Sequence, residues 1–217
     1  MIKPVRWKTF PRDFVVIQIG FALFGLAISM MIRGNLGTSA WVVLEAALAY
    51  KIGITVGTMT IIMGFIVLIC AVAMREKMGW GTLGNILSIG PWIDLFNLFI
   101  PDVDGNIWLQ FAMLLAAIVL MGLGSAIYIG VDAGAGPRDS LMLAIKRTTG
   151  VSIRVSRAII EITVVLIGWL LGGPVGIGTV IYALLIGPSV QWGFKVFNVQ
   201  PHKEEEVVQA GIEGGVE

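Results

Sequence analysis

From Phe14 to Ile32 the chain carries no charged residue. About 20 apolar residues in a helix cross the hydrocarbon core of a bilayer. Long apolar runs then recur at Thr55–Met74, Gly81–Ile100, Ile107–Gly130, Ser152–Leu171 and Gly178–Phe197. Backbone N–H and C=O groups cannot stay unpaired in lipid, so runs of this length must be helices. Charged residues make up 13% of the chain, about half the share of a soluble domain, and 57% of it is apolar. The expected fold class is therefore all-α, a polytopic membrane protein with six transmembrane helices. A signal peptide is rejected at the first run, because hydrophobic segments keep following it.

Two shorter helical pieces interrupt the series. Arg33-Gly-Asn-Leu-Gly-Thr-Ser39 leads into Ala40–Tyr50, and Asp132-Ala-Gly-Ala-Gly-Pro-Arg-Asp139 leads into Ser140–Thr149. A helix of roughly 11 residues rises about 17 Å, too little to cross a core of about 30 Å. Thr38 or Ser39 is the expected N-cap of the first.

The chain repeats itself. Gly79-Trp-Gly-Thr82 and Ile89-Gly-Pro91 reappear 97 positions later as Gly176-Ile-Gly-Thr179 and Ile186-Gly-Pro188. Gly25-Leu-Ala-Ile28 matches Gly124-Ser-Ala-Ile127 and Gly37 matches Gly136, both at 99, and Gly53 matches Gly150 at 97. Each half reads as long helix, glycine loop, short non-spanning helix, long helix, and a last helix expected to break at Gly90-Pro91 or Gly187-Pro188. Three spans per half invert the second half relative to the first. With the N-terminus inside, the inner face collects Lys3, Arg6, Lys8, Arg12, Arg75, Lys77, Arg138, Lys146, Arg147, Arg154, Arg157, Lys195 and Lys203, and the outer face only Arg33 and Lys51. That distribution obeys the positive-inside rule. The expected organisation is a basic cytoplasmic segment 1–13, a first repeat 14–100, a second repeat 107–198, and a disordered acidic cytoplasmic tail 199–217. Both termini are cytoplasmic.

Gly37-Thr-Ser39, Gly53-Ile-Thr-Val-Gly-Thr58, Gly79-x-Gly-Thr82 and Ile89-Gly-Pro-x-Ile-Asp94 resemble the YczE/YitT-type family of small bacterial integral membrane proteins. Gly136-Pro-Arg-Asp139, Thr149-Gly150, Glu161 and Gly168-Trp-Leu-Leu-Gly-Gly173 extend the likeness over roughly residues 14 to 198. Where that pattern often has Pro-Trp-Asp after Gly-Thr-Ser, this chain has Ala40-Trp41-Val42. The resemblance implies a bacterial inner-membrane protein, and it supplies neither substrate nor catalytic residues.

Ionisable groups within spans mark candidate sites, because lipid penalises them. Asp94 closes the repeated motif, and its partner in the second half is Gln191. Two readings stand: a pseudo-symmetric site for an amine, hydroxyl or cation, or a carboxylate hydrated near the outer interface. Glu161 lies four residues after Arg157 and seven after Arg154, on one helix face. It reads as an ion pair or as a gate. The loops Gly37-Thr38-Ser39 and Gly136-Pro-Arg138-Asp139 either aim helix N-termini at an anion or merely turn the chain. Glu45, Lys51, Lys146 and Arg147 read as interfacial charges, and Trp41, Trp80, Trp92 and Trp108 as an interfacial belt.

The lone cysteine, Cys70, lies in an apolar run, and the lone histidine, His202, in the tail. No cysteine-based metal site is expected, and no cofactor. No enzyme is expected either. A lipid-acting enzyme ranks last, since no nucleophile stands beside a base. The reading is a small secondary transporter or facilitator whose path lies between two inverted repeats. The alternative is a non-transporting scaffold or accessory factor for a partner protein. The expected partners are the lipid bilayer and a small-molecule substrate. No nucleic acid is expected, and a homo-oligomer is compatible with the chain.

Overall fold

The structure, a computed structural model, describes residues 5–75, 79–134 and 136–199, apart from the side chains of residues 139, 143, 153 and 154. The basic residues Lys3 and Lys77 and nearly all of the expected disordered tail fall outside the described residues.

Among the described residues there are eight helices and no strand: α1 (Phe10–Gly34), α2 (Ala40–Ile52), α3 (Val56–Ala73), α4 (Trp80–Phe99), α5 (Ile107–Gly130), α6 (Pro137–Thr149), α7 (Ile153–Leu170) and α8 (Ile177–Val196). By length and composition α1, α3, α5 and α8 are long and apolar enough to cross a membrane. The 20 residues of α4 and the 18 of α7 approach the same length but carry more polar or charged side chains. The 13-residue helices α2 and α6 rise only about 20 Å each.

Local chemistry explains most boundaries. Thr55, Asn106 and Ser152 cap α3, α5 and α7 through side-chain oxygens that accept from the third N–H. Gly53 and Gly150 end α2 and α6 in the left-handed conformation. Pro137 opens α6 three residues before the sequence places its start, since proline suits the first helical turn. Arg138 and Asp139 therefore belong to that helix and not to the loop.

The core is built on α1 and α5, which pack along their length and run antiparallel: Gly20 meets Gly124, and Gly34 meets Met113. α4 lies parallel to α1, tied by Gln18 to Ser88 at 2.8 Å and by Ser29 to the Ile93 carbonyl at 3.0 Å. α8 lies likewise beside α5, with Ser189 bonded to the Ile118 carbonyl. α2 packs on α3 and α7, and α6 packs on α7 and α3. Every one of these contacts has a counterpart with the helix number advanced by four.

Two features of the repeat take a different form from the sequence expectation. α4 and α8 run straight through Pro91 and Pro188, so neither Gly90-Pro91 nor Gly187-Pro188 is a helix break. Each proline removes one N–H rung, and the rest of the helix ladder holds. Gly90 serves instead as a crossing point. A methyl group on it would overlap the Gly57 carbonyl of α3, and one on Gly57 would overlap the Gly90 carbonyl. Among the described residues, Gly187 faces open space. The two-residue slip in the repeat also moves upstream. Gly37 and Gly134 adopt φ of 108° and 120°, and Ser39 and Gly136 are the N-caps of α2 and α6. Gly37 is thus the counterpart of Gly134, not of Gly136.

The Gly90/Gly187 contrast predicts that Gly90→Ala lowers the unfolding free energy in detergent by about 1–3 kcal/mol through overpacking. Gly187→Ala should leave it unchanged or raise it by up to about 1 kcal/mol through helix propensity. Thermal unfolding of the two variants checks this, and equal shifts would remove the crossing as the role of Gly90.

Candidate functional site

The Gly-x-Gly-Thr motifs lock the halves together. The Gly81 N–H donates to the Ala133 carbonyl at 2.9 Å, and the Gly178 N–H donates to the Leu36 carbonyl at 2.7 Å. Thr82 and Thr179 turn their hydroxyls back to the Gly79 and Gly176 N–H groups. Side chains at these glycines would collide with the opposing loop. Each glycine loop therefore receives the start of the last helix from the other half, and this docking positions the N-termini of α2 and α6.

Both N-termini open onto one cavity of about 680 Å³, lined by Ser39–Trp41 of α2 and Gly136–Arg138 of α6. Its remaining walls come from α1, α3, α4, α5, α7 and α8. At its edge lies a buried ion pair. Glu45 is fully buried (0% exposed), and the guanidinium of Arg138, whose side chain is 36% exposed, donates to its Oε1. The Thr60 hydroxyl stands 2.8 Å from Glu45 Oε2 and 3.0 Å from the Val56 carbonyl. The Arg138 guanidinium also lies 5.0 Å from the centre of the Trp41 ring. A buried carboxylate is tolerated only with such partners. Arg157 and Glu161 form a second pair at 2.8 Å on the α7 wall. Formal charge in the cavity thus balances, and the N-terminal ends of two helices add partial positive charge.

The sequence candidates divide. Ser39, Gly136, Arg138, Arg157 and Glu161 line the cavity. Gly37 and Thr38 stand just behind it: Gly37 abuts Gly176, and Thr38 is buried. Ser39 is the N-cap but makes no side-chain capping bond. The side chain of Asp139 lies outside the described residues. Asp94 and Gln191 are not in the cavity. Asp94 accepts from the Gly57 N–H at 3.0 Å and from the Thr55 hydroxyl at 2.6 Å, so it braces the start of α3. Gln191 is exposed on α8.

Glu45 and Trp41 are the residues that sequence reasoning placed wrongly, at the interface. α2 is buried on nearly every side from Trp41 to Ala49, which an interfacial helix would not be. The signal was present: Ala-Trp-Val-Val-Leu-Glu-Ala-Ala-Leu-Ala is apolar all round, and such a helix is a buried one. Its single carboxylate then needs a cation. Arg147 on α6 donates to the Met74 and Arg75 carbonyls at the C-terminal end of α3 and so caps that helix. Among the described residues no cluster of ligating side chains could hold a metal.

Arg138→Met strands the Glu45 carboxylate and should cost about 3–5 kcal/mol of stability. Adding Glu45→Gln removes the buried charge and should restore most of that loss. Chemical unfolding of both single variants and the double variant reads the coupling, and losses that simply add would mean the two residues act independently.

A family described as a family of unknown function, DUF6198, matches residues 11–195. The "uncharacterized membrane protein YczE" of Bacillus subtilis is 35% identical over 188 residues, covering 84% of this chain and 82% of that protein. An "uncharacterized protein" of Haemophilus influenzae is 30% identical over 196 residues, 90% of this chain and 89% of that one. The "uncharacterized protein YyaS" of Bacillus subtilis is 34% identical over 180 residues, 80% and 88% of the two chains. No solved structure matches.

Proposed function

The chain belongs to the DUF6198 family and is a membrane protein with several apolar helices, and on that premise we propose that it is a small secondary transporter or facilitator. Its binding site is the cavity between two inverted three-span repeats. The observation that carries this reading is the convergence of the α2 and α6 N-termini with Arg138 on one cavity shared by both halves. Half-helices that end inside a membrane protein and point at a common space suit substrate binding at a repeat interface.

The inverted frame is supported by helix direction. α1 and its counterpart α5 are antiparallel, as inversion requires, and α1 and α4 are parallel. With α1, α3 and α4 as the spans, a parallel α1 and α4 follow when α2 does not cross. The Arg6 side chain reaches the Val131 carbonyl at the end of α5, and Arg33 pairs with Asp102 at 2.7 Å at the opposite end of α1. These contacts are compatible with a cytoplasmic N-terminus and an acidic outer turn.

The path consequently runs through Arg138 and Trp41, not through Asp94 and Gln191. Proteoliposomes should exchange members of an organic-anion panel faster than empty liposomes. Arg138→Met carrying the Glu45→Gln compensation should abolish the difference, and Asp94→Asn should retain flux once corrected for folded protein. Flux indifferent to Arg138 would overturn the site. In a Cys70→Ala background, single cysteines at Asp104 and Thr149 should label from opposite sides, and labelling from one side would overturn the inverted frame.

A further inference from the structure

The two halves differ at one seam. α3 and α4 are closed against each other by the Gly57–Gly90 crossing, and Asp94 fastens α4 to the Gly57 N–H. The equivalent seam lies between α7 and α8. At the positions of Gly57, Gly90 and Asp94 it has Arg154, Gly187 and Gln191. An arginine in place of the first glycine forbids a glycine–glycine crossing, and among the described residues nothing lies within 4 Å of a methyl group placed on Gly187. α7 and α8 barely touch, and residues of both line the cavity. The walls there are apolar: Leu166 and Trp169 on α7, Val180 and Ala183 on α8. Trp169 and Val180 are each 59% exposed. Arg138 marks the polar end, and its guanidinium is already engaged on one side by Glu45.

We propose that this cavity takes an amphiphilic anion, its acidic head on Arg138 and its apolar body in the open α7–α8 seam. The inference rests on the transporter reading and narrows its substrate class. The head is a carboxylate or phosphate, which a guanidinium binds through charge-assisted hydrogen bonds. The body replaces the helix contact that the α3–α4 seam makes for itself. Glu45 and the ligand head compete for one guanidinium, so the carboxylate sets how tightly the anion is held.

The probe is octanoate, titrated onto the protein in phosphatidylcholine nanodiscs with thermal unfolding as the readout. Octanoate should stabilise the protein, whereas acetate, 1-octanol and octylamine at the same concentration should not. Glu45→Gln, which leaves Arg138 less engaged, should tighten octanoate binding several-fold. The Glu45→Gln/Arg138→Met double variant, which keeps the charge balance and hence the fold, should weaken it by about tenfold or more, the loss of one charge-assisted contact. Nanodiscs containing phosphatidylglycerol separate the two sources of the anion. If they alone give the Arg138-dependent stabilisation and erase the octanoate shift, the head belongs to a bilayer lipid. If octanoate still adds its full shift, the ligand is a free alkyl acid.

Acetate matching octanoate would remove the apolar body from the proposal, and 1-octanol matching it would remove the anionic head. An octanoate shift that survives in the double variant would remove Arg138. Arg138-dependent flux of a small hydrophilic anion would leave the transporter reading standing and sink this one. Octanoate binding without any flux would do the reverse.

Discussion

A buried backbone group must find its hydrogen bond within the protein, and this chain meets that demand at two loops shared between its halves. The carbonyls of Leu36 and Ala133 have no helix to serve them. Each is taken by the N–H of a glycine at the start of the last helix of the opposite half, Gly178 or Gly81. Only glycine lets the two backbones come that close. The docking holds both short helices with their N-termini toward the middle of the molecule, and the cavity exists because those helices stop there.

On this symmetric frame the chemistry is one-sided. Trp41 and Arg138 occupy equivalent places at the starts of α2 and α6, and they lie against each other. Glu45 corresponds to Met142, and Thr60 to Arg157. The two halves use matching helices, with the cation on α6 and its buried carboxylate on α2. The ion pair therefore bridges the halves, which makes its strength sensitive to how they sit together. The same divergence closed the α3–α4 seam and left α7–α8 apart.

Much of the fold was legible in the sequence. The apolar runs and the two short helices follow from hydrophobic length and the glycine loops, and the helices begin and end within a few residues of those expectations. The site was less legible. Arg138, Arg157, Glu161 and Ser39 were recognisable as polar groups beside apolar runs. Glu45 was not, because its short helix could lie at an interface or inside, and its burial depends on α3 and α7 covering it. Asp94 looked like a site for the same reason that it is a brace: a carboxylate on an apolar helix needs donors, and here the backbone of α3 provides one.

What the sequence determined by itself was the class of object: apolar lengths decide that helices enter a bilayer, and matching glycine motifs recur at a fixed offset. The tertiary structure alone decided what the repeated residues do. Gly90-Pro91 and Gly187-Pro188 are identical in sequence, yet one is a helix crossing and the other, among the described residues, faces open space. The reason is physical. A glycine's role depends on the atoms that approach it, and those atoms come from a helix elsewhere in the chain, where Gly57 and Arg154 differ.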